Sequence, residues 1–105
     1  MRAAFASING LYIDQHFGSA RWWQIYEVGE DGGVFIETRK SQAKYAGHWE
    51  GGFSHLLKLL NDCDAVFVSK IGEPAATFMI QNGIRVFEAE GEIAGIIEEV
   101  KNGGF

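Results

Sequence analysis

The sequence predicts an α/β domain, a mixed five-stranded sheet with helices on its faces. Strand-like runs come first, helical and strand-like runs then alternate to the end, and Ala65-Val66-Phe67-Val68 is apolar without alternation. That order gives a sheet whose second half is built from crossover units, and an uninterrupted apolar strand belongs at its centre, covered on both faces. The 105 residues, 47% apolar and 13% aromatic, are the size of one domain and supply one core. One domain over residues 1–105 is expected.

Residues 2–8 are short and apolar and end at Asn9-Gly10, which reads as a buried strand followed by a turn. Residues 22–28 are rich in aromatic and β-branched side chains, and the glycine-bearing stretch 29–33 separates them from residues 34–39 at the spacing of an antiparallel hairpin. Residues 41–52 have no clean period and hold Gly47, Gly51 and Gly52, so they read as a loop, which carries His48 and Trp49. Phe53, Leu56, Leu57 and Leu60 fall at the spacing of one helical face and predict a helix over 53–61. After the central strand, Pro74 suits a first helical turn and Gly83 a helix stop, enclosing a helix over 75–82. Residues 84–87 form a last short strand, and Ile93, Ile96, Ile97 and Val100 repeat the helical face before Asn102-Gly103. In chain order the elements are three strands, then helix, strand, helix, strand, helix.

If the first three strands run up, down and up and the last two run up, loops 9–21, 41–52, 69–74 and 88–92 share one pole. That pole lies at the carboxyl ends of the parallel strands, where open sheets bind ligands. His16 and His48 both fall there. Loops 29–33, 61–64 and 82–83 fall at the opposite pole, with Cys63.

Charge and composition exclude several function classes. A net charge of −5, with Lys and Arg scattered, opposes binding to phosphate backbones, so nucleic acid is not an expected partner. No apolar stretch approaches the roughly 20 residues that cross a bilayer, so no membrane span is expected. The single cysteine excludes an internal disulfide, and the first ten residues lack the pattern of an export signal. A cytoplasmic location is expected. Two-metal catalysis needs several inward carboxylates, and the first and central strands contain none. Dinucleotide and phosphate-loop fingerprints are absent, and Lys70-Ile71-Gly72-Glu73-Pro74 opens a helix with an acid where an anion would sit.

Among the remaining residues, His16 in the turn Asp14-Gln15-His16-Phe17-Gly18-Ser19-Ala20 can be a metal ligand, a general base or a polar loop residue. Phe17 would anchor that turn in the core, while Gly18 would permit a positive φ or a close backbone approach. His48 by itself reads as a solvated loop residue, and His55 falls on the helix face opposite the apolar one, toward solvent. Cys63 reads as a small buried hydrophobe rather than a ligand. Trp22, Trp23 and Trp49 could stack on a planar ligand. Trp22 and Trp23, which must point to opposite faces, read as a homo-oligomer contact. Ser7 or Ser69 near His16 is only a loose suggestion of a hydrolase.

These residues resemble the family of dinitrogenase iron-molybdenum cofactor biosynthesis and cofactor-binding proteins over nearly the whole chain. The resemblance rests on the apolar first strand, the His16 turn before an aromatic strand, the loop Gly47-His48-Trp49-Glu50-Gly51-Gly52, Asp62-Cys63-Asp64-Ala65-Val66 leading into Ile71-Gly72-Glu73-Pro74-Ala75, and Gly83-Ile84-Arg85-Val86-Phe87. It implies a ribonuclease H-like three-layer fold without nuclease residues. It also implies a non-enzymatic carrier or chaperone that transiently binds an iron-molybdenum cofactor, an iron-sulfur type cluster or a precursor, with cofactor-assembly or acceptor proteins as partners. His16 is then the ligand, His48 a second ligand or lid, and Gly18 and Gly72 allow close approach. Ser19 stands where a basic residue is frequent. The competing expectation is an interaction or small-molecule-binding module with no metal role; a serine hydrolase ranks last.

Overall fold

The computed structural model describes residues 1–41 and 49–105, with residues 49–52 described by backbone alone. A five-stranded sheet runs in the order β4 (Gly32–Lys40), β3 (Trp22–Gly29), β1 (Arg2–Ala6), β5 (Ala65–Val68), β6 (Arg85–Glu88). β1 pairs antiparallel with β3 and parallel with β5, β3 pairs antiparallel with β4, and β5 pairs parallel with β6. Helices α1 (Trp49–Leu60) and α2 (Glu73–Gln81) cover one face, and α3 (Ile93–Lys101) covers the other.

The period of two along β1 and β5 makes both layers possible. Ala4, Ala6, Val66 and Val68 pack with Leu56, Leu60 and Met79 beneath α1 and α2, while Ala3, Phe5, Ala65 and Phe67 pack with Ile93, Ile96 and Ile97 beneath α3. All four β5 residues are fully buried, as the unalternating run requires. Phe5 and Phe67 stack with ring centroids 4.9 Å apart across the β1–β5 pair, adding aromatic contact to burial. α3 also reaches the β3–β4 hairpin, where a Cβ on Gly33 would lie 2.9 Å from Ile97 Cδ1. A side chain at this position would have to push Ile97 aside.

Element boundaries depart from the sequence expectations for local reasons. β1 stops at Ala6 because Ser7 Oγ accepts the Gly10 N–H (3.0 Å) and Asn9 Oδ1 accepts the Leu11 N–H (2.8 Å), closing a turn with Gly10 at φ +79°. α1 begins at Trp49, earlier than its apolar spacing suggests, so Trp49 is helical rather than part of a loop. α2 begins at Glu73, with Pro74 in its first turn. A second, two-stranded sheet joins β2 (Tyr12–Ile13) to β7 (Gly91–Glu92), and the Ile93 N–H donates to Leu11 O (2.8 Å). Two-residue strands carry no readable period, and these were not expected.

The adjacent tryptophans separate, as alternation demands, but not into an exposed contact. Trp23 is fully buried in the α1/α2 layer, so it cannot be the oligomer contact expected of it; Trp22 is partly covered, with the Lys40 ammonium 5.1 Å from its ring. Trp23 faces α1 and α2 because its β1 partner, Ala6, does.

The pole opposite the candidate site is closed by charge. Arg39 holds Asp62 through both guanidinium nitrogens (2.6 and 2.8 Å) and donates to Leu59 O (2.9 Å), tying β4 to the end of α1. Arg2 Nη1 also donates to Asp62 (3.1 Å). Such a bidentate, charge-assisted pair is stronger and more directional than a lone surface ion pair. Among the described residues no helix is long and apolar enough to cross a membrane.

Candidate functional site at the carboxyl ends of the parallel strands

The loops leaving β1 and β5, neighbours in the sheet, meet over its carboxyl-terminal edge. The Ser69 N–H donates to Gln15 O (3.0 Å) and the Phe17 N–H donates to Lys70 O (2.8 Å), so a short parallel bridge forms between His16 and Lys70. His16 therefore lies on a backbone held from both sides. It is extended (φ −74°, ψ 148°) and caps the single 3₁₀ turn Phe17–Ser19, where its carbonyl accepts the Ser19 N–H (3.3 Å).

Side chains in this segment alternate strictly. Ile13, Gln15 and Phe17 point inward and are buried, whereas Asp14, His16 and Gly18 are exposed. Phe17 sits edge-on to Trp23 with centroids 5.9 Å apart and lies 6.4 Å from Phe53, which pins the turn to the core as expected. Gln15 braces it further, its Nε2 donating to Trp22 O (3.1 Å) and its Oε1 accepting the Arg21 N–H (2.9 Å). Asp14 Oδ1 accepts the Ile8 N–H (3.1 Å). The facing loop has its own brace, since the Ile71 N–H donates to Glu88 Oε2 (2.9 Å). Neither Gln15 nor Glu88 is among the residues expected at the site. The signal for Gln15 was present, a polar residue at the inward position between Ile13 and Phe17.

Gly18 does not use a positive φ, one of the two roles expected of it beside a close backbone approach. Among the described residues nothing lies within 4 Å of a Cβ placed on it. Gly72 caps α2 in an extended conformation (φ −75°, ψ 154°), and among the described residues its Cβ would meet only Pro74 Cδ, at 3.9 Å. Neither satisfies a strained turn, and none of the described residues crowds either position. His48 lies outside the described residues. His55 is half-buried on α1, less exposed than its place opposite the apolar face suggests.

Other candidates are removed by their surroundings. Cys63 is buried at the opposite pole, and burial, reinforced by Asp62, pushes its thiol up to about 12 despite Arg39 nearby. A thiol in that state is a poor nucleophile and a poor ligand. Ser7 is fully buried, with its hydroxyl engaged by the Gly10 N–H, so it cannot meet a substrate. Among the described residues no group of three or more His, Cys, Asp and Glu converges to hold a bare metal ion.

Comparison with known proteins bears on this geometry. The family model described as dinitrogenase iron-molybdenum cofactor matches residues 1–103. The protein NifY of Klebsiella pneumoniae is 35% identical over 84% of this chain and 38% of its own length. The protein NifX of Rhodobacter capsulatus is 32% identical over 96% of this chain and 68% of its own length. The chain thus spans well under half of that NifY and about two thirds of that NifX. The crystal structure of PH0822 superposes with a TM-score of 0.76 at 19% identity, covering 98% of this chain and 91% of that one.

Proposed function

We propose that this chain, which belongs to the dinitrogenase iron-molybdenum cofactor family, is a non-enzymatic carrier of an iron-molybdenum or iron-sulfur type cluster or its precursor, with His16 as the protein ligand. The cluster is the cargo. The observation that carries the reading is an exposed imidazole on a doubly hydrogen-bonded backbone at the sheet's carboxyl-terminal edge, with neither Gly18 nor Gly72 crowded by any of the described residues. A preassembled cluster brings its own sulfides and needs few protein donors, whereas a bare ion needs several converging ones. One aimed imidazole fits the first requirement and not the second. Loose attachment of this kind suits release to an acceptor.

His48 is the second imidazole in this reading, as ligand or lid. Ile8, Leu11 and Tyr12 are exposed at the same pole and offer an apolar surface to an assembly or acceptor protein beside the cargo. The reading also takes the sheet, three strands ordered backward from the hairpin and two added by crossover, as ribonuclease H-like, and the protein as cytoplasmic. Purification without oxygen from cells that make such clusters, followed by metal analysis and incubation with a cluster-free acceptor, tests it. Transferable iron at below one cluster per chain is expected. Metal-free protein that neither takes up an offered cluster nor passes one on would remove the carrier reading.

A further inference from the structure

β4 is an edge strand of an unusual kind. It is nine residues long, about 30 Å at strand rise, and its outer side has no partner among the described residues. Edge strands are commonly blunted by central charges, proline or a covering element. Here the centre is apolar instead: Val34, Phe35 and Ile36 are 69%, 52% and 39% exposed. Charge gathers toward the ends, with Glu30 and Asp31 in the turn before the strand and Arg39 and Lys40 at its close. Glu37, nearer the middle, is paired within the chain to Arg39 (2.8 Å).

We propose that β4 pairs antiparallel with β4 of a second copy, about a two-fold axis that passes through Phe35 perpendicular to the sheet. In that register Phe35 meets its own symmetry mate and Val34 meets Ile36. Past the extra residue Ile36 the offset changes by one, and the acidic turn of one copy, Glu30 and Asp31, lies beside the basic end of the other, Arg39 and Lys40. Arg39 is already held by Asp62 and Lys40 lies over Trp22, so the added attraction is between the oppositely charged ends rather than from one fixed pair. The axis keeps each sheet face on its own side. The edge-to-face contact between Tyr26 and Phe35, 5.5 Å between centroids, therefore extends into a row of four rings across the interface.

Other registers match less well. Centring on Glu37 sets carboxylate against carboxylate and Phe35 against Arg39, and a parallel arrangement sets acid ends against acid ends. The register shift that leaves Ile36 between paired neighbours interrupts the ladder once in each copy, and the contact is one strand wide. The dimer is accordingly a weak one, with a Kd on the order of 10–100 µM.

Sedimentation equilibrium of the full chain between about 5 and 500 µM tests this. A monomer–dimer equilibrium is expected, and Phe35→Lys, which places two like charges on the axis, abolishes it while leaving the circular dichroism spectrum unchanged. Under mild oxidation Phe35→Cys forms a disulfide-linked dimer, because a residue on the axis faces itself at disulfide distance; Glu37→Cys, off the axis and on the opposite sheet face, does not. If Phe35→Lys fails to fold, Lys40→Glu weakens the dimer and Glu30→Lys added to it restores it. A monomer throughout the range, a dimer that survives Phe35→Lys, or equal crosslinking at positions 35 and 37 would overturn the proposal.

Discussion

Gln15→Met tests whether the His16 turn is held by a side-chain brace or only by its backbone contacts. Methionine keeps the length and apolar volume of the buried side chain but removes both amide hydrogen bonds. Trp22 O keeps a donor, the Ser7 N–H at 3.1 Å, whereas the Arg21 N–H loses its acceptor Gln15 Oε1. One backbone donor left without a protein partner costs about 1–3 kcal/mol, and the lower end applies where water can reach it, as at the exposed Arg21. The expected loss is thus about 1–2 kcal/mol in urea unfolding at unchanged m-value, with faster hydrogen exchange at Arg21. Gln15→Glu sharpens the test. Its carboxylate accepts from Arg21 but opposes the Trp22 carbonyl and is buried, so its folded pKa rises above the unfolded value near 4.3. The folded state then binds the extra proton, and the variant recovers stability as pH falls from 7 toward 4. Native stability in Gln15→Met with unchanged exchange at Arg21, or a Gln15→Glu variant that weakens relative to the native chain on acidification, would refute the brace.

Asp62→Asn removes the charge that Arg39 and Arg2 share, and a loss of about 1–2 kcal/mol is expected in the same unfolding assay. The Arg39 guanidinium, then Arg2, holds the Asp62 carboxyl well below the usual carboxylate range, so its contribution is full above about pH 4 and lost as pH falls through lower values, and Asp62→Asn flattens that part of the acid profile. Cys63, with its thiol pushed up to about 12, is expected to resist a thiol reagent at pH 8 in the folded chain and to react once urea unfolds it; reaction before unfolding would contradict the placement. The Trp23 Nε1 is buried without a hydrogen-bond partner among the described residues, so Trp23→Phe trades a small cavity against relief of an unpaired donor. Its net cost is expected to be within about 1 kcal/mol, well below the 3–5 kcal/mol common for deleting a large aromatic side chain.

Much of this architecture was legible because it rests on periods long enough to read. Leu56 and Leu60 mark the buried side of α1, and Val66 and Phe67 mark a strand covered on both faces. Loop polarity separated His16 from Cys63, and the structure keeps them at opposite poles. What was not legible depends on pairing between distant segments. Alternation says that Trp22 and Trp23 diverge, but only register with Ala6 says which one is buried. β2 and β7 exist because two loops meet, and neither has a pattern of its own. The His16 turn was legible as a place to aim an imidazole, but not the means: an inward glutamine and a bridge to Lys70 hold the backbone, and Gly18, expected to allow a positive φ or a close approach, has no positive φ.

The central claim is that His16 is the ligand of a carried cluster, and its most direct measurement is anaerobic titration of His16→Ala against the unmodified chain with isolated iron-molybdenum cofactor, followed by its electronic and EPR spectra. Because the imidazole is exposed, the variant is expected to unfold within about 0.5 kcal/mol of the native chain while binding the cofactor at least tenfold more weakly and losing the spectral change on binding. Equal affinity and an unchanged spectrum in a stable His16→Ala variant would contradict the account.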